Sequence, residues 1–314
     1  MMKETSKNSQ HEPVLLGEVL EVLRPGAGEV VVDCTVGYGG HAEAILSHLS
    51  SKGKLIAMDL DPYALDATQQ RLSDSNKSFS LHQGNFREFP LLLQSLGIDK
   101  LTGALFDIGF SSSQIDSGHR GFSFQAEAPL NMRFNPNAGI TARDFLNKST
   151  EIELSAVIKE FGEERYHRKI TKAVFKAVKA GKMETTTDLR NAVAEIIPGR
   201  FLTKSLARVF QAIRIKVNDE LDALKETLVH SVQWLQIGGR LTVISFHSLE
   251  DRIVKQFYKN SVKSCICPKE YPVCICNASP TLKFINKKAI VPRSDELETN
   301  ARARSAKLRV AERI

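Results

Sequence analysis

Val32 to Leu46 reads VDCTVGYGGHAEAIL. A β-branched run ends in Asp33, three glycines (Gly37, Gly39, Gly40) fall within four positions, and His41 opens a segment with helical apolar spacing. A strand, a glycine-rich turn and a helix in that order make the first half of a βαβ unit. The same alternation recurs downstream: KLIAMDLD precedes PYALDATQQRL, SFSLHQGNF precedes PLLLQSLGI, and GALFDIGF follows. Short apolar strands separated by helical segments predict an α/β fold with an open, doubly wound, Rossmann-like parallel sheet. Asp61 is placed to cap a helix that has Pro62 at its first position, and Gly53 marks the stop of the helix before it.

The turn itself formally satisfies G-x-G-x-x-G/A at Gly37–Ala42, and Asp59 ends the next strand. Glycines there admit close backbone approach, and an acid at the second strand end accepts hydrogen bonds from ribose hydroxyls. Any adenosine-containing cofactor suits that much. Asp33 separates the readings, because a carboxylate at the first strand end repels a pyrophosphate and attracts a ligand carrying cations. S-adenosylmethionine has an ammonium and a sulfonium and no phosphate. Later strand ends extend the set: Asn85 and Phe86 in HQGNF offer an adenine ring a polar edge and an apolar face. Asp107 and Gln114 in LFDIGFSSSQ stand where methyl donor and acceptor meet. Each residue also has a plain structural reading: Asp33 as a turn cap, Phe86 as core, His41 as a helix-start residue. Acids and amides at successive strand ends of one sheet favour the cofactor, since ligands of open α/β sheets bind there.

After Ser111 the chain turns loop-like, and from Thr141 to Leu235 its periodicity is helical. In RYHRKITKAVFKAVKAGK, Ile170, Ala173, Val174, Ala177 and Val178 recur on one side, while Arg165, Arg168, Lys169, Lys172, Lys176 and Lys179 line the other. Such a stripe is either a solvated face or an RNA contact. TTTDLRNAVAEII reads as a Thr-capped helix stopped by Pro198-Gly199. SLARVFQAIRIKVNDELDALKETLVHSVQWL reads as one long helical pattern ending at Gly238-Gly239. GRLTVISFHS then resumes strand character, and AKLRVAER supplies a last strand. So long a helical stretch between strands exceeds an ordinary connection. The expected organisation is a discontinuous methyltransferase domain, 1–114 and 217–314, with an inserted, mostly helical substrate-recognition domain, 115–216.

Lys and Arg outnumber Asp and Glu by 43 to 36, a formal net charge of +7, which fits a polyanionic partner such as RNA. No apolar run approaches the length of a membrane span, and the polar opening MMKETSKNSQHEP has no signal-peptide core. A cytoplasmic protein with no membrane partner is expected; its oligomeric state stays open.

The blocks DCTVGYGGH, DIGFSSSQID with RGFSF, PLNMRF, FGEER, FQAIRIKVNDEL, SFHSLEDRIVKQF and ARARSAKLRVAER resemble, in order, the bacterial 16S ribosomal RNA (cytosine-N4) methyltransferase family. The resemblance runs from about His11 to Arg313. It implies a class I S-adenosylmethionine methyltransferase fold with an inserted helical domain. The implied substrate is a cytidine in the decoding centre of 16S rRNA in the small ribosomal subunit, methylated on its exocyclic amine. By motif position it implies Gly39, Gly40 and His41 as the cofactor loop, Asp59 at the ribose, Phe86 at the adenine, and Asp107 with Gln114 at the methionine end. This chain departs from the family at Asn131 and Asn135, where acids are usual, and at Ala301, where proline is common.

The cytosine amine is a poor nucleophile because its lone pair is delocalised into the ring, so acceptors must orient it. Asp107 or the Ser111–Ser113 backbone, and Ser245 or His247, are the candidates, with Asp107 and His247 as catalytic residues. A histidine at a strand end is equally a structural hydrogen-bonder. Arg133, Arg214, Arg168, Lys172 and Lys176 are candidate phosphate contacts. Two rival functions are a ribosome-assembly factor on a methyltransferase fold and a methyltransferase of another substrate. Cys265, Cys267, Cys274 and Cys276 form two C-x-C pairs whose spacing leaves zinc, reduced thiols and a redox pair all open, so no metal ligand is assigned.

Overall fold

The computed structural model describes residues 13–26, 29–109, 120–265, 267, 275–276 and 278–314. The chain divides into two compact units, Met1–Gly109 with Lys225–Ile314, and Phe110–Leu224.

The first unit is built on a seven-stranded sheet of order β3-β2-β1-β4-β5-β7-β6. Strands β1 (Val30–Asp33), β2 (Lys54–Asp59), β3 (Ser78–Gln83), β4 (Leu101–Asp107) and β5 (Leu235–Ser245) run parallel. The short β6 (Leu282–Phe284) and the closing β7 (Lys307–Arg313) complete it, with β7 antiparallel to both its neighbours. β1 carries Val31 and Val32 buried and pairs on both sides, Asp33 opposite Ala57 of β2 and Leu105 of β4. Strands buried on both faces need apolar side chains on both, which is why β1, β2 and β4 are near-continuous apolar runs. The strand order reverses at β1–β4, and a crevice opens beyond the carboxyl ends at such a switch point.

Helices α1 (Leu16–Leu23), α2 (Gly40–His48), α3 (Pro62–Arg71) and α4 (Phe89–Ser95) belong to this unit. Asp61 caps α3 by accepting from Tyr63 N–H at 3.1 Å, with Pro62 at the first position. Val19, Ile45, Leu46, Leu55, Leu105, Ile244 and Leu308 share one core between helices and sheet.

The second unit holds α5 (Ala142–Lys148), α6 (Glu151–Glu160), α7 (His167–Lys179), α8 (Thr186–Ala194) and α9 (Gly199–Asn218) around a separate core that includes Phe145, Leu154, Ile170, Leu189, Val209 and Ile213. Thr141 and Thr185 both start helices with reciprocal caps, to Asp144 and Asp188. Three features correct the sequence reading. Pro198-Gly199 does not stop α8, which ends at Ala194; Pro198 is the N-cap of α9. The long helical pattern breaks at Asp219, whose φ of 51 is left-handed, and restarts as α10 (Glu220–Trp234). Gly238 and Gly239 lie inside β5, beside a register shift between Leu101 and Gly103; a Cβ on Gly239 would stand 3.0 Å from Leu101 O. The glycines accommodate an irregularity of the strand rather than a helix end.

After β5 come α11 (Ser248–Ser261) and α12 (Ser294–Thr299).

One glycine fixes the packing of the helical unit. A Cβ on Gly162 would lie 2.7 Å from the carbonyl oxygens of both Ile158 and Arg208, so the turn that ends α6 meets α9 only over a bare Cα. Gly162→Ala is expected to destabilise this unit by about 1–3 kcal/mol. Urea unfolding of the full chain should show an earlier transition; an unmoved midpoint would contradict the close approach.

Candidate functional site

The crevice end of β1 and β4 is acidic. Asp33 is 1% exposed; its Oδ1 accepts from Thr35 N–H at 3.2 Å, while the buried Oδ2 has no hydrogen-bond partner. Burial pushes its pKa up to about 7; the Thr35 N–H opposes that shift and the charge of Asp59 adds to it. Asp107 repeats the pattern on β4. Its N–H donates to Thr35 Oγ1 at 2.6 Å, its Oδ1 is buried without a partner, and its Oδ2 lies 3.6 Å from His41 Nδ1. Burial, then the charges of Asp33 and Glu250, raise its pKa to about 8. Two neighbouring carboxyls, each with an orphaned oxygen, make a place that favours positive charge.

Asp59 ends β2 and braces the glycine turn. Its Oδ2 accepts from Gly37 N–H at 2.8 Å and its Oδ1 from Asp61 N–H at 2.9 Å. Burial outweighs these bonds and raises its pKa to about 6. The backbone of Leu60 adds a third hydrogen bond to this carboxylate.

Gly39 has a φ of 77, and a Cβ there would lie 3.0 Å from Thr68 Oγ1; a Cβ on Gly40 would lie 2.4 Å from Pro13 Cγ. The missing side chains therefore let the protein pack against itself and shape the turn. His41 is 6% exposed, with Nε2 3.0 Å from Val14 O. A carbonyl only accepts, so Nε2 carries the hydrogen and Nδ1 faces Asp107.

Phe86 begins a short 3₁₀ turn after β3 and packs edge-on against Phe106, ring centroids 6.2 Å apart. It is half-buried. Asn85 caps that turn, its Oδ1 accepting from Arg87 N–H at 3.0 Å.

His247 is the N-cap of α11, beyond the end of β5, the strand next to β4. Its Nδ1 accepts from Glu250 N–H at 3.4 Å, and its Nε2 stands 2.9 Å from Glu250 Oε1 without the alignment of a hydrogen bond. Glu250, fully buried, also accepts from the amides of Phe246 and His247. The imidazole is thus tied into a cap. Ser245 is 2% exposed, and its hydroxyl donates to Lys307 O at 3.4 Å. Gln114 and Ser111–Ser113 lie outside the described residues.

Among the cations, Arg214 is corrected: it is 7% exposed and pairs bidentately with Glu220 at 2.8 and 2.9 Å. Arg133 is bound to its own loop, Nε donating to Asn131 Oδ1 at 2.8 Å and Nη1 facing the carbonyls of Ala138 and Gly139. Asn131 thus serves as an acceptor despite lacking an acid. Arg168, Lys169, Lys172, Lys176 and Lys179 all sit exposed along α7.

Two contributors were not found from sequence. Thr35 links the ends of β1 and β4, and Glu250 sets charge beside Asp107. Glu250 had one signal, its place three residues after His247 in a capping-box spacing.

The sequence matches the model of the MraW methylase family over residues 8–314. A Heliobacterium modesticaldum protein named ribosomal RNA small subunit methyltransferase H is 44% identical over 308 residues, 97% of this chain and 98% of that one. Proteins of the same name from Brevibacillus brevis and Fusobacterium nucleatum are 43% and 42% identical, covering 99% and 98% of this chain and 100% and 98% of theirs.

Proposed function

The chain belongs to the MraW methylase family, and from that premise we propose that it transfers the methyl group of S-adenosylmethionine to the N4 amine of a cytidine in small-subunit 16S rRNA. The observation that carries this reading is the acid pair at the switch point, Asp33 and Asp107, each with a buried, unpartnered oxygen. An unpaired buried carboxylate is costly, and a cation placed between the strand ends removes that cost. A pyrophosphate there would add to it, so a dinucleotide does not fit.

The residues suit the cofactor. Asp33 and Asp107 would face its ammonium and sulfonium, Asp59 its ribose hydroxyls, Phe86 its adenine, and the Gly39–Gly40–His41 turn its methionine side. Gln114 joins the methionine end by motif position. When bound, the cofactor supplies a methyl group on positively charged sulfur, ready for in-line displacement. The chain does the rest. Asp107 accepts a hydrogen bond from the cytosine amine, turning the lone pair towards the methyl, and takes the proton once nitrogen has become cationic. Burial and the charges of Asp33 and Glu250 favour the protonated carboxyl once the cation's charge is gone. His41 stands beside that carboxyl, its Nδ1 3.6 Å from Oδ2. His247 is a positioning residue in this account, holding the first turn of α11 and Glu250 near Asp107.

The target base must leave its stack to reach a strand-end crevice. The helical unit provides RNA contact through α7. Replacing Lys172 and Lys176 by Glu should weaken RNA binding at every sequence and reduce the slope of log K against log salt concentration by about one per lost phosphate contact. Filter binding over a salt series measures this, with cofactor affinity unchanged. Unaltered RNA affinity would make the stripe a solvated face.

No helix among the described residues is long and apolar enough to cross a membrane. The ribosomal substrate places the reaction in the compartment where small subunits are made. Nucleoside analysis of 16S rRNA from cells lacking the gene tests the function. N4-methylated cytidine should vanish, return with the wild-type gene, and stay absent with Asp107→Ala; its persistence without the gene would refute the assignment.

A further inference from the structure

The cysteines of the α11–β6 connection have no part in methyl transfer, yet they gather. Cys265, Cys267 and Cys276 bring their sulfurs within 4.8 Å of one another. We propose that these three cysteines bind a zinc ion as thiolates and close the tip of this connection.

Burial does not explain the cluster, because Cys265 is exposed and the other two are only half-buried. Disulfide bonding does not explain it either: the Cys276 and Cys265 sulfurs are 3.9 Å apart, far beyond a bond of about 2.05 Å, and one pairing would strand the third thiol. That separation instead matches the edge of a tetrahedral site. With zinc–sulfur bonds of about 2.3 Å, ligand sulfurs stand about 3.8 Å apart. The backbone supplies a second, independent sign. Cys267 N–H points at Cys265 Sγ and Ile275 N–H at Cys267 Sγ, both at 3.4 Å. Amides aimed at sulfur are the kind of outer partners that orient a metal's ligands. Thiolates on a borderline-soft divalent ion select zinc over magnesium or calcium.

Binding displaces one proton from each thiol, and the three thiolates leave the zinc centre with one net negative charge. The fourth position belongs to water or a further side chain. Cys274, two residues before Cys276, lies outside the described residues.

The base of the connection is already closed, since Thr281 N–H donates to Ser261 O at 2.8 Å. Ser261 ends α11, whose first turn carries His247 and Glu250. A zinc clamp at the tip would stiffen the segment that leads α11 into β6, without touching the cofactor.

The test uses the full chain purified with no metal-affinity step, with metal read by emission spectrometry. About one zinc per chain should survive dialysis. Chelation should make at least the three clustered thiols newly reactive to Ellman's reagent and lower the unfolding midpoint, with S-adenosylmethionine affinity unchanged. Cys265→Ser and Cys276→Ser should each lose the metal. Should either fail to fold, cobalt(II) loading of the wild-type chain decides, through thiolate-to-cobalt charge-transfer absorption. Zinc below about a tenth per chain after loading, with thiols equally reactive before and after chelation, overturns the proposal, and so does a disulfide among these cysteines.

Discussion

Asp33→Asn is expected to weaken S-adenosylmethionine binding by roughly a hundredfold or more, and to stabilise the cofactor-free chain at neutral pH. Both effects come from one carboxylate. Its Oδ2 is buried without a partner, so in the free protein the charge costs desolvation and repulsion from Asp59, which the Thr35 N–H only partly offsets. Asn keeps the shape and the acceptor for Thr35 N–H but discards the charge. Removing one partner from a buried charge pair typically costs about 2–5 kcal/mol of binding. The pH dependence follows in sign. An unfolded aspartate titrates near ~3.9, whereas the folded values are about 6 for Asp59, about 7 for Asp33 and about 8 for Asp107. The folded chain holds these protons longer, so their stabilising contribution is full below the unfolded value and is lost as pH rises through the folded ones. The cofactor-free protein therefore loses stability from about pH 4 to about pH 8 at these sites. A cationic ligand needs the ionised forms, so its affinity should rise from pH 6 to pH 8 with release of protons. Calorimetry in buffers of different ionisation heat reads both. Affinity that falls across this window would mean that the acids do not face a cation.

Asp107→Ala is expected to lower methyl transfer by about 10²–10⁴-fold, the range of a positioned acid–base group. Binding of the small-subunit substrate should change little, since one contact to the amine is lost and no phosphate contact is, whereas S-adenosylmethionine binding should weaken. Asp107→Asn separates the roles: it keeps an oxygen that accepts from the amine but cannot take its proton. The Asn variant should therefore retain more substrate orientation and still turn over slowly, seen as a fall in kcat with the KM for the small subunit near wild type, while S-adenosylmethionine binding weakens as it does for Asp33→Asn. Wild-type transfer by Asp107→Ala would move the chemistry to another strand end.

The parts of the structure legible in the sequence share a physical cause. β1, β2 and β4 are buried on both faces, and burial writes itself as Val31-Val32 or Leu55-Ile56 runs that no solvated strand would carry. Asp33, Asp59 and Asp107 stood out because each ends such a run. Three-residue β6 left no pattern to see, and α1 starts from Leu15 in a left-handed conformation, with φ of 56, that its residue type does not announce. The break at Asp219 escaped notice because apolar periodicity continues on both sides of it. Site residues that depend on tertiary placement were hidden for the same reason. Thr35 gains its role by meeting β4 seventy-two positions away, and Arg214 lost its expected one to Glu220 on the next helix. A cation on a helix face looks the same in sequence whether solvent or a carboxylate lies opposite.

The most direct measurement is transfer of labelled methyl from S-adenosylmethionine to small-subunit particles lacking this modification, by the purified chain, followed by nucleoside analysis. Label in N4-methylated cytidine, absent with Asp107→Ala, is the result this account predicts. Tight cofactor binding with no methylated nucleoside would contradict it, and would make the chain an assembly factor or the methyltransferase of another substrate.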